Sequence, residues 1–89
     1  MKNSYLEVTF RHGRPLAAYL YVSRQPADKS YRTAKAEPGL VIDFNRRGEP
    51  IGIEITAPTK LSVAALNRVL RRFDLPTVTS ADLAPLRAA

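Results

Sequence analysis

Chemistry needs side chains that can move a proton, attack a bond or hold a metal, and this sequence offers few. It contains no cysteine, which removes disulfides, thiolate zinc sites, iron–sulfur clusters and a cysteine nucleophile together. His12 is the one histidine. It falls in an expected turn between Arg11 and Arg14, where a solvated loop role is the ordinary one, and a single histidine without cysteine makes no His-rich metal site. Asp43 and Glu54 are the carboxylates to test as an acid–base pair. They lie on facing strands, on opposite faces if the hairpin loop has three residues and on one face if it has two. Exposed carboxylates on strands are more often solubilising than catalytic in either case. The glycines are scattered and form no phosphate-cradling loop. The residues read as non-catalytic, with no cofactor and no metal.

The basic residues are the other candidates. Lys and Arg total 14 against 8 Asp and Glu, a net charge of +6. Such an excess attracts polyanions or acidic proteins at long range, and it also serves plain solubility. Arg68, Arg71 and Arg72 share one face of an expected helix, with Asn67 beside them. Arg46 and Arg47 cap one hairpin, and Arg11 and Arg14 cap another. If those hairpins are neighbours in an antiparallel meander, both tips lie at one end of the sheet and four arginines converge. Each group has a structural account as well: Arg71 and Arg72 complement the helix macrodipole, and turns are where polar residues belong. The tyrosines suit base stacking, but Tyr19 and Tyr21 at strand spacing read as sheet packing.

The elements that must position these residues follow from periodicity. The chain has 89 residues, 45% of them hydrophobic, which suits one small domain spanning 1–89. The N-terminus lacks the apolar core of a signal peptide, and no apolar run approaches the roughly 20 residues that cross a bilayer. The expectation is a cytoplasmic protein with no membrane contact. Residues 5–10 and 16–22 alternate with the period of half-buried strands and form a first hairpin. Residues 23–30 form a polar loop, and 31–37 a short, irregular edge segment. Two runs rich in β-branched residues, within 40–55, flank the turn Asn45-Arg46-Arg47-Gly48 and make a second hairpin.

A three-residue loop there sets Asn45 opposite Glu49, Asp43 opposite Ile51, Ile42 opposite Gly52 and Val41 opposite Ile53. One face then carries Val41, Ile51, Ile53 and Ile55, the other Leu40, Ile42 and Phe44. A helix covers only one apolar face, so the register predicts a self-association face at Leu40, Ile42, Phe44 and Gly52. The helix is expected over 63–73, with Ser62 as N-cap and Leu61 and Leu66 as a hydrophobic staple. Its core stripe is Val63, Leu66, Val69, Leu70 and Phe73, and Leu75-Pro76 ends it. In the tail, 76–89, Ser80 caps about one turn carrying Leu83 and Leu86, stopped by Pro85. The expected fold is α+β: an antiparallel sheet of about four strands from two hairpins, over about 4–56, with one amphipathic helix packed on one face.

The stretch GLVIDFNRRGEPIGIEI resembles the signature of a small bacterial and archaeal group, domain-of-unknown-function family 2283. The matching positions are Val41, Ile42, Asp43, Phe44, Gly48, Ile51, Gly52, Ile53, Glu54 and Ile55. Upstream, LAAYLYV is similar to the family's other recurrent strand, with Tyr19 at an aromatic position. The resemblance covers about residues 5–57. The chain departs from the pattern in its basic turn (Arg46, Arg47), in Arg14, Pro15 and Leu16 where acidic residues are usual, and in its C-terminal extension. Some members resemble the antitoxin half of toxin–antitoxin pairs, so the resemblance implies a non-catalytic protein-interaction module, antitoxin-like, as a homodimer or with a small protein partner. The basic turn counts against an acidic surface that blocks a basic toxin site. The alternative is a nucleic-acid-binding accessory protein using the hairpin tips and the helix face. The third reading, an enzyme, has no constellation behind it.

Overall fold

The computed structural model describes residues 4–22 and 27–86. Residues 23–26 of the expected loop and 87–89 of the tail lie outside the described residues. Five strands form one antiparallel sheet: β1 (Ser4–Arg11), β2 (Arg14–Val22), β3 (Arg32–Glu37), β4 (Leu40–Phe44) and β5 (Pro50–Ile55). A single α-helix, α1 (Val63–Arg72), follows, with 3₁₀ turns at Pro58–Lys60 and Ala81–Leu86. The architecture is α+β as expected, with five strands rather than about four. The extra one is the irregular segment near 31–37, which forms edge strand β3. Its Arg32 and Lys35 are exposed, as suits an edge that must not pair with another chain.

The strand order is β1-β2-β5-β4-β3. Because β3 adds one reversal of the chain, the two expected hairpins do not point the same way. Ala18 pairs with Ile55 and Tyr21 with Gly52, so β5 begins beside the end of β2. The β1–β2 turn and the β4–β5 turn therefore lie at opposite ends of the sheet, and the convergence of four arginines does not occur.

The β1–β2 and β4–β5 hairpins each contain a bulge, and both of these follow a proline. In the first, Phe10 pairs with Pro15 and Thr9 with Ala17, leaving Leu16 extra. In the second, Phe44 pairs with Pro50 and Asp43 with Gly52, leaving Ile51 extra. Proline has no N–H to give the ladder, so pairing slips where it enters a strand. The loop itself is as read: Asn45 N–H donates to the Glu49 carbonyl at 2.9 Å and Gly48 N–H to the Asn45 carbonyl at 3.0 Å. Past Ile51 the pairing is one residue out from the loop-based register, with Ile42 opposite Ile53 and Val41 opposite Glu54.

That slip changes both faces. Leu40, Ile42, Phe44, Ile53 and Ile55 now share one face with Ala18, Leu20 and Val22, and all join one buried cluster with Leu66, Val69 and Leu70 of α1. Leu40, Ile42 and Phe44 are 1%, 1% and 6% exposed. They are core residues, so the self-association face expected at Leu40, Ile42, Phe44 and Gly52 does not exist. Gly52 falls on the other face.

Helix α1 starts as expected, with the Ser62 hydroxyl accepting from Ala65 N–H at 3.0 Å. It ends one residue early and by a different device. Asp74 takes a left-handed φ of 60°, and Leu75 N–H reaches back to the Leu70 carbonyl at 2.8 Å, a Schellman-type closure before Pro76 is reached. Buried Asn67 holds the tail to the helix: its amide donates to the Val78 carbonyl at 2.9 Å and accepts from Val78 N–H at 2.8 Å. The 3₁₀ turn is capped by Thr79 and Asp82, each accepting from the other's N–H, rather than by Ser80. The Thr79 N–H holds the Asp82 carboxyl below the usual carboxylate range. Leu83 and Leu86 enter the core, and Pro85 lies within the turn.

Candidate functional site

The face of the sheet opposite the buried cluster is built from Tyr5, Glu7, Thr9 and Arg11 of β1, Arg14, Ala17, Tyr19 and Tyr21 of β2, Gly52 and Glu54 of β5, Val41 and Asp43 of β4, and Thr33 and Lys35 of β3. Pairing arranges them in rows: Tyr5–Tyr21–Gly52–Asp43–Thr33 and, beside it, Glu7–Tyr19–Glu54–Val41–Lys35. Side chains in directly opposed positions are close enough to interact. Tyr5 and Tyr21 stack with centroids 4.4 Å apart, and Tyr19 meets Tyr21 edge-on at 4.6 Å. Tyr19 lies across Gly52, in the space a Cβ at residue 52 would occupy. Its hydroxyl donates to Asp43 Oδ2 at 2.6 Å, and the Tyr21 hydroxyl donates to Glu7 Oε1 at 3.2 Å. Gly52 is thus the gap through which Tyr19 reaches β4. The room that its missing side chain leaves is filled from within the chain.

Asp43 and Glu54 share this face, as a two-residue-loop register would have it, although the loop has three residues; the Ile51 bulge supplies the difference. Three carboxylates, Glu7, Asp43 and Glu54, sit here. Among the described residues none of them forms an ion pair, whereas Asp28, Glu37 and Glu49 all do. Sequence reasoning missed this grouping because it rests on a slip of one residue. Pro50, inside an apolar strand, was the available signal.

The arginines are dispersed. Arg11 and Arg14 flank a two-residue turn in which His12 and Gly13 both have positive φ, 53° and 75°, the type I′ pattern. His12 is exposed there. Arg68 is held by Glu37 through two hydrogen bonds of 2.9 and 3.0 Å, and Arg72 lies 3.9 Å from the same carboxylate. The Arg68 hydrogen bonds hold the Glu37 carboxyl below its ordinary range and raise the guanidinium. Arg71 is exposed.

At the far end, buried Asn45 organises the β4–β5 turn. Its side-chain oxygen accepts from the Arg47 and Glu49 N–H groups at 3.0 and 2.9 Å, and its amide donates to Glu49 at 2.8 Å and to Asp28 at 3.3 Å. Arg47 bonds Glu49 at 2.8 Å and Asp28 at 3.4 Å. The Asn45 amide, with Arg47, lowers the Glu49 carboxyl, and Glu49 raises Arg47 in return. Arg46 lies over the exposed Tyr31 ring at 5.4 Å, and Arg32 over Phe44 at 4.3 Å. Depressions beside this turn are lined by Lys29, Ser30, Tyr31, Arg46 and Arg47, and by Asp28, Asn45, Glu49, Phe73 and Leu75. No group of three His, Cys, Asp or Glu side chains among the described residues could hold a metal ion. No described helix is long and apolar enough to cross a membrane.

An α+β module with one face of its sheet in a buried cluster and the other lined by tyrosines and carboxylates is the class this geometry defines. A family model described as protein of unknown function (DUF2283) matches residues 17–57, from β2 through β5. Over those residues the chain is similar to the family its hairpin resembles. Four residues that carry the resemblance, Tyr19, Asp43, Gly52 and Glu54, meet on the tyrosine face. No curated protein and no solved structure matches the chain.

Proposed function

We propose that the chain is a non-catalytic protein-interaction module, antitoxin-like, whose tyrosine–carboxylate face docks a small protein partner. In this reading α1 covers one face of the sheet and leaves the other for association. The observation that carries it is the grouping of Tyr5, Tyr19 and Tyr21 with Glu7, Asp43 and Glu54 in adjacent rows. Aromatic side chains that present apolar bodies and polar tips are enriched where proteins meet. Tyr5 is 58% exposed, a large apolar area left at the surface. An acid–base role for Asp43 and Glu54 is disfavoured because the Tyr19 hydroxyl already engages Asp43 and Glu54 stands exposed.

The test is co-expression with the product of the adjacent gene, followed by light scattering of the co-purified material. A defined hetero-complex, lost on Tyr5→Ser and Tyr21→Ser, supports the reading. A monomer or homodimer of unchanged mass beside every neighbour counts against it.

The second reading, a nucleic-acid-binding accessory protein, is favoured by the Arg46–Tyr31 stack with Lys29 and Arg32 near the β4–β5 turn. Arginine planes and aromatic rings together suit single-stranded bases. The dispersal of the remaining arginines and the engagement of Arg47, Arg68 and Arg72 by carboxylates weigh against it. A fluorescent DNA or RNA oligonucleotide titrated at low and moderate salt decides. Salt-sensitive binding lost on Arg46→Glu keeps this reading, and no binding removes it.

A further inference from the structure

The two tyrosine rows of the docking face have a charge opposite to that of the chain. The sequence carries +6 overall, yet among the described residues the two tyrosine rows hold Glu7, Asp43 and Glu54 against Lys35, with Arg11 and Arg14 set apart at the turn end of the same face. Glu7 and Glu54 flank Tyr19 in a single row, and both are exposed. Elsewhere Asp28, Glu37 and Glu49 are drawn into ion pairs and Asp82 into a cap, as happens readily where arginine is plentiful. On this face the only described side chains that engage carboxylates are tyrosines, through Tyr19 to Asp43 and Tyr21 to Glu7.

We infer that the occupant of this face is an arginine-rich, cationic segment of a partner protein; the inference rests on the docking reading above. A guanidinium is planar and weakly hydrated, stacks on tyrosine, and forms paired hydrogen bonds with a carboxylate. The face offers both contacts side by side. The Tyr5 ring, stacked on Tyr21, is a platform, and the Glu7 carboxylate is already held at that platform by the Tyr21 hydroxyl. Glu54 repeats the carboxylate on the far side of Tyr19. The chain stacks its own guanidinium groups in the same manner, Arg32 over Phe44 and Arg46 over Tyr31.

An open sheet bearing tyrosines is also a shape on which nucleic-acid bases stack. Here the same rows set three carboxylates against the phosphates, which excludes a polyanion at this face and favours its opposite. A second copy of the chain is a poorer fit, because the helix arginines Arg68 and Arg72 are already held by Glu37. The acidic surface that suits a basic partner therefore lies on the sheet, and the basic β4–β5 turn does not contradict it.

The full chain has no tryptophan and four tyrosines, so in a Tyr31→Phe background its tyrosine emission reports on this face. Octa-arginine, octa-lysine, octa-glutamate and a neutral Gly-Ser octapeptide are titrated in turn. The arginine peptide is expected to bind saturably and more tightly than the lysine peptide, with no binding by the acidic or neutral ones. The double substitution Glu7→Gln with Glu54→Gln should weaken it by about tenfold or more, the scale expected from losing two charge-assisted contacts. Asp74→Asn, which removes a carboxylate far from the face, should leave it unchanged. Circular dichroism confirms that each variant is folded, and Tyr5→Ser supplies an independent loss should the double variant fail to fold.

The inference is overturned if the arginine peptide does not bind, if its binding survives both the Glu7→Gln with Glu54→Gln variant and Tyr5→Ser, or if the acidic peptide binds the face instead. The docking reading fails separately, when a co-expressed partner binds the Tyr5→Ser and Tyr21→Ser variants as it binds the parent chain. Light scattering that shows the arginine peptide displacing a homodimer through this face would also overturn the inference, in favour of a second copy as occupant.

Discussion

Ile53 and Glu54 are neighbours in β5 and belong to different environments. Ile53 is 0% exposed, enclosed by sheet and helix side chains, while Glu54 stands in the open beside Tyr19. The same alternation divides the whole sheet: β-branched and leucine side chains enter the buried cluster on one side, and tyrosines with carboxylates line the other. Both faces use one backbone and one period of two. What assigns each residue to its face is the slip at Ile51. Without it, Ile53 and Ile55 would lie with Val41 and Asp43, and the sheet would expose isoleucine to water. The open side therefore offers a partner rings and charges, and not a second dry core.

The largest test of this division compares adjacent residues. Ile53→Ala should cost about 2–5 kcal/mol by opening a cavity in the core, whereas Glu54→Ala should change stability by about 0.5 kcal/mol or less. Urea midpoints measure both, and similar losses at the two positions would break the comparison. Next comes the tail on the buried side. Asn67→Ala leaves the N–H and carbonyl of Val78 without partners in a buried setting, an expected loss of about 2–4 kcal/mol. Hydrogen exchange at Val78 should rise in that variant.

A smaller effect belongs to the open side. Gly52→Ala should push the Tyr19 ring from its seat and break its bond to Asp43, at about 1–2 kcal/mol. In a Tyr19→Ala background the same change should be neutral or stabilising, because glycine within a strand costs about 0.5–1 kcal/mol. A double-mutant cycle reads this coupling. The smallest effect concerns Glu37. Its folded carboxyl is held below its ordinary range by Arg68, so its contribution is present above the unfolded pKa and is lost as pH falls through the folded one. Glu37→Gln should lower the urea midpoint at pH 7, and that deficit should shrink on acidification below about pH 4, the ordinary carboxylate range.

Much of the fold was legible because local chemistry agreed with it. The alternation of residues 5–10 and 16–22 marks the first hairpin, Ser62 and the apolar stripe mark the helix, and the 45–48 loop sets Asn45 opposite Glu49 as its three-residue form implies. The sheet's outer half was less legible. Edge strand β3 is polar, with Arg32, Thr33 and Lys35 outside and only Ala34 and Ala36 turned inward, so its burial signal is faint. Missing it also misplaced the hairpin tips, since one strand more or fewer reverses every later direction. The candidate site was the least legible part. Tyr19, Asp43 and Glu54 were each visible, but their meeting depends on bulges that Pro15 and Pro50 permit without fixing their position. A slip of one residue leaves composition and periodicity almost unchanged and moves every following side chain to the other face.

The central claim is that the tyrosine–carboxylate face, and not the arginines of the turns, is where this chain meets its partner. Its most direct test is an amide NMR titration of the ¹⁵N-labelled full chain with octa-arginine. The account predicts shifts centred on Tyr5, Glu7, Tyr19, Tyr21, Gly52 and Glu54, with the turn at Arg46 and Arg47 unmoved. Shifts that centre instead on Tyr31, Arg46 and Arg47, or that leave the tyrosine rows untouched at saturating peptide, would contradict it.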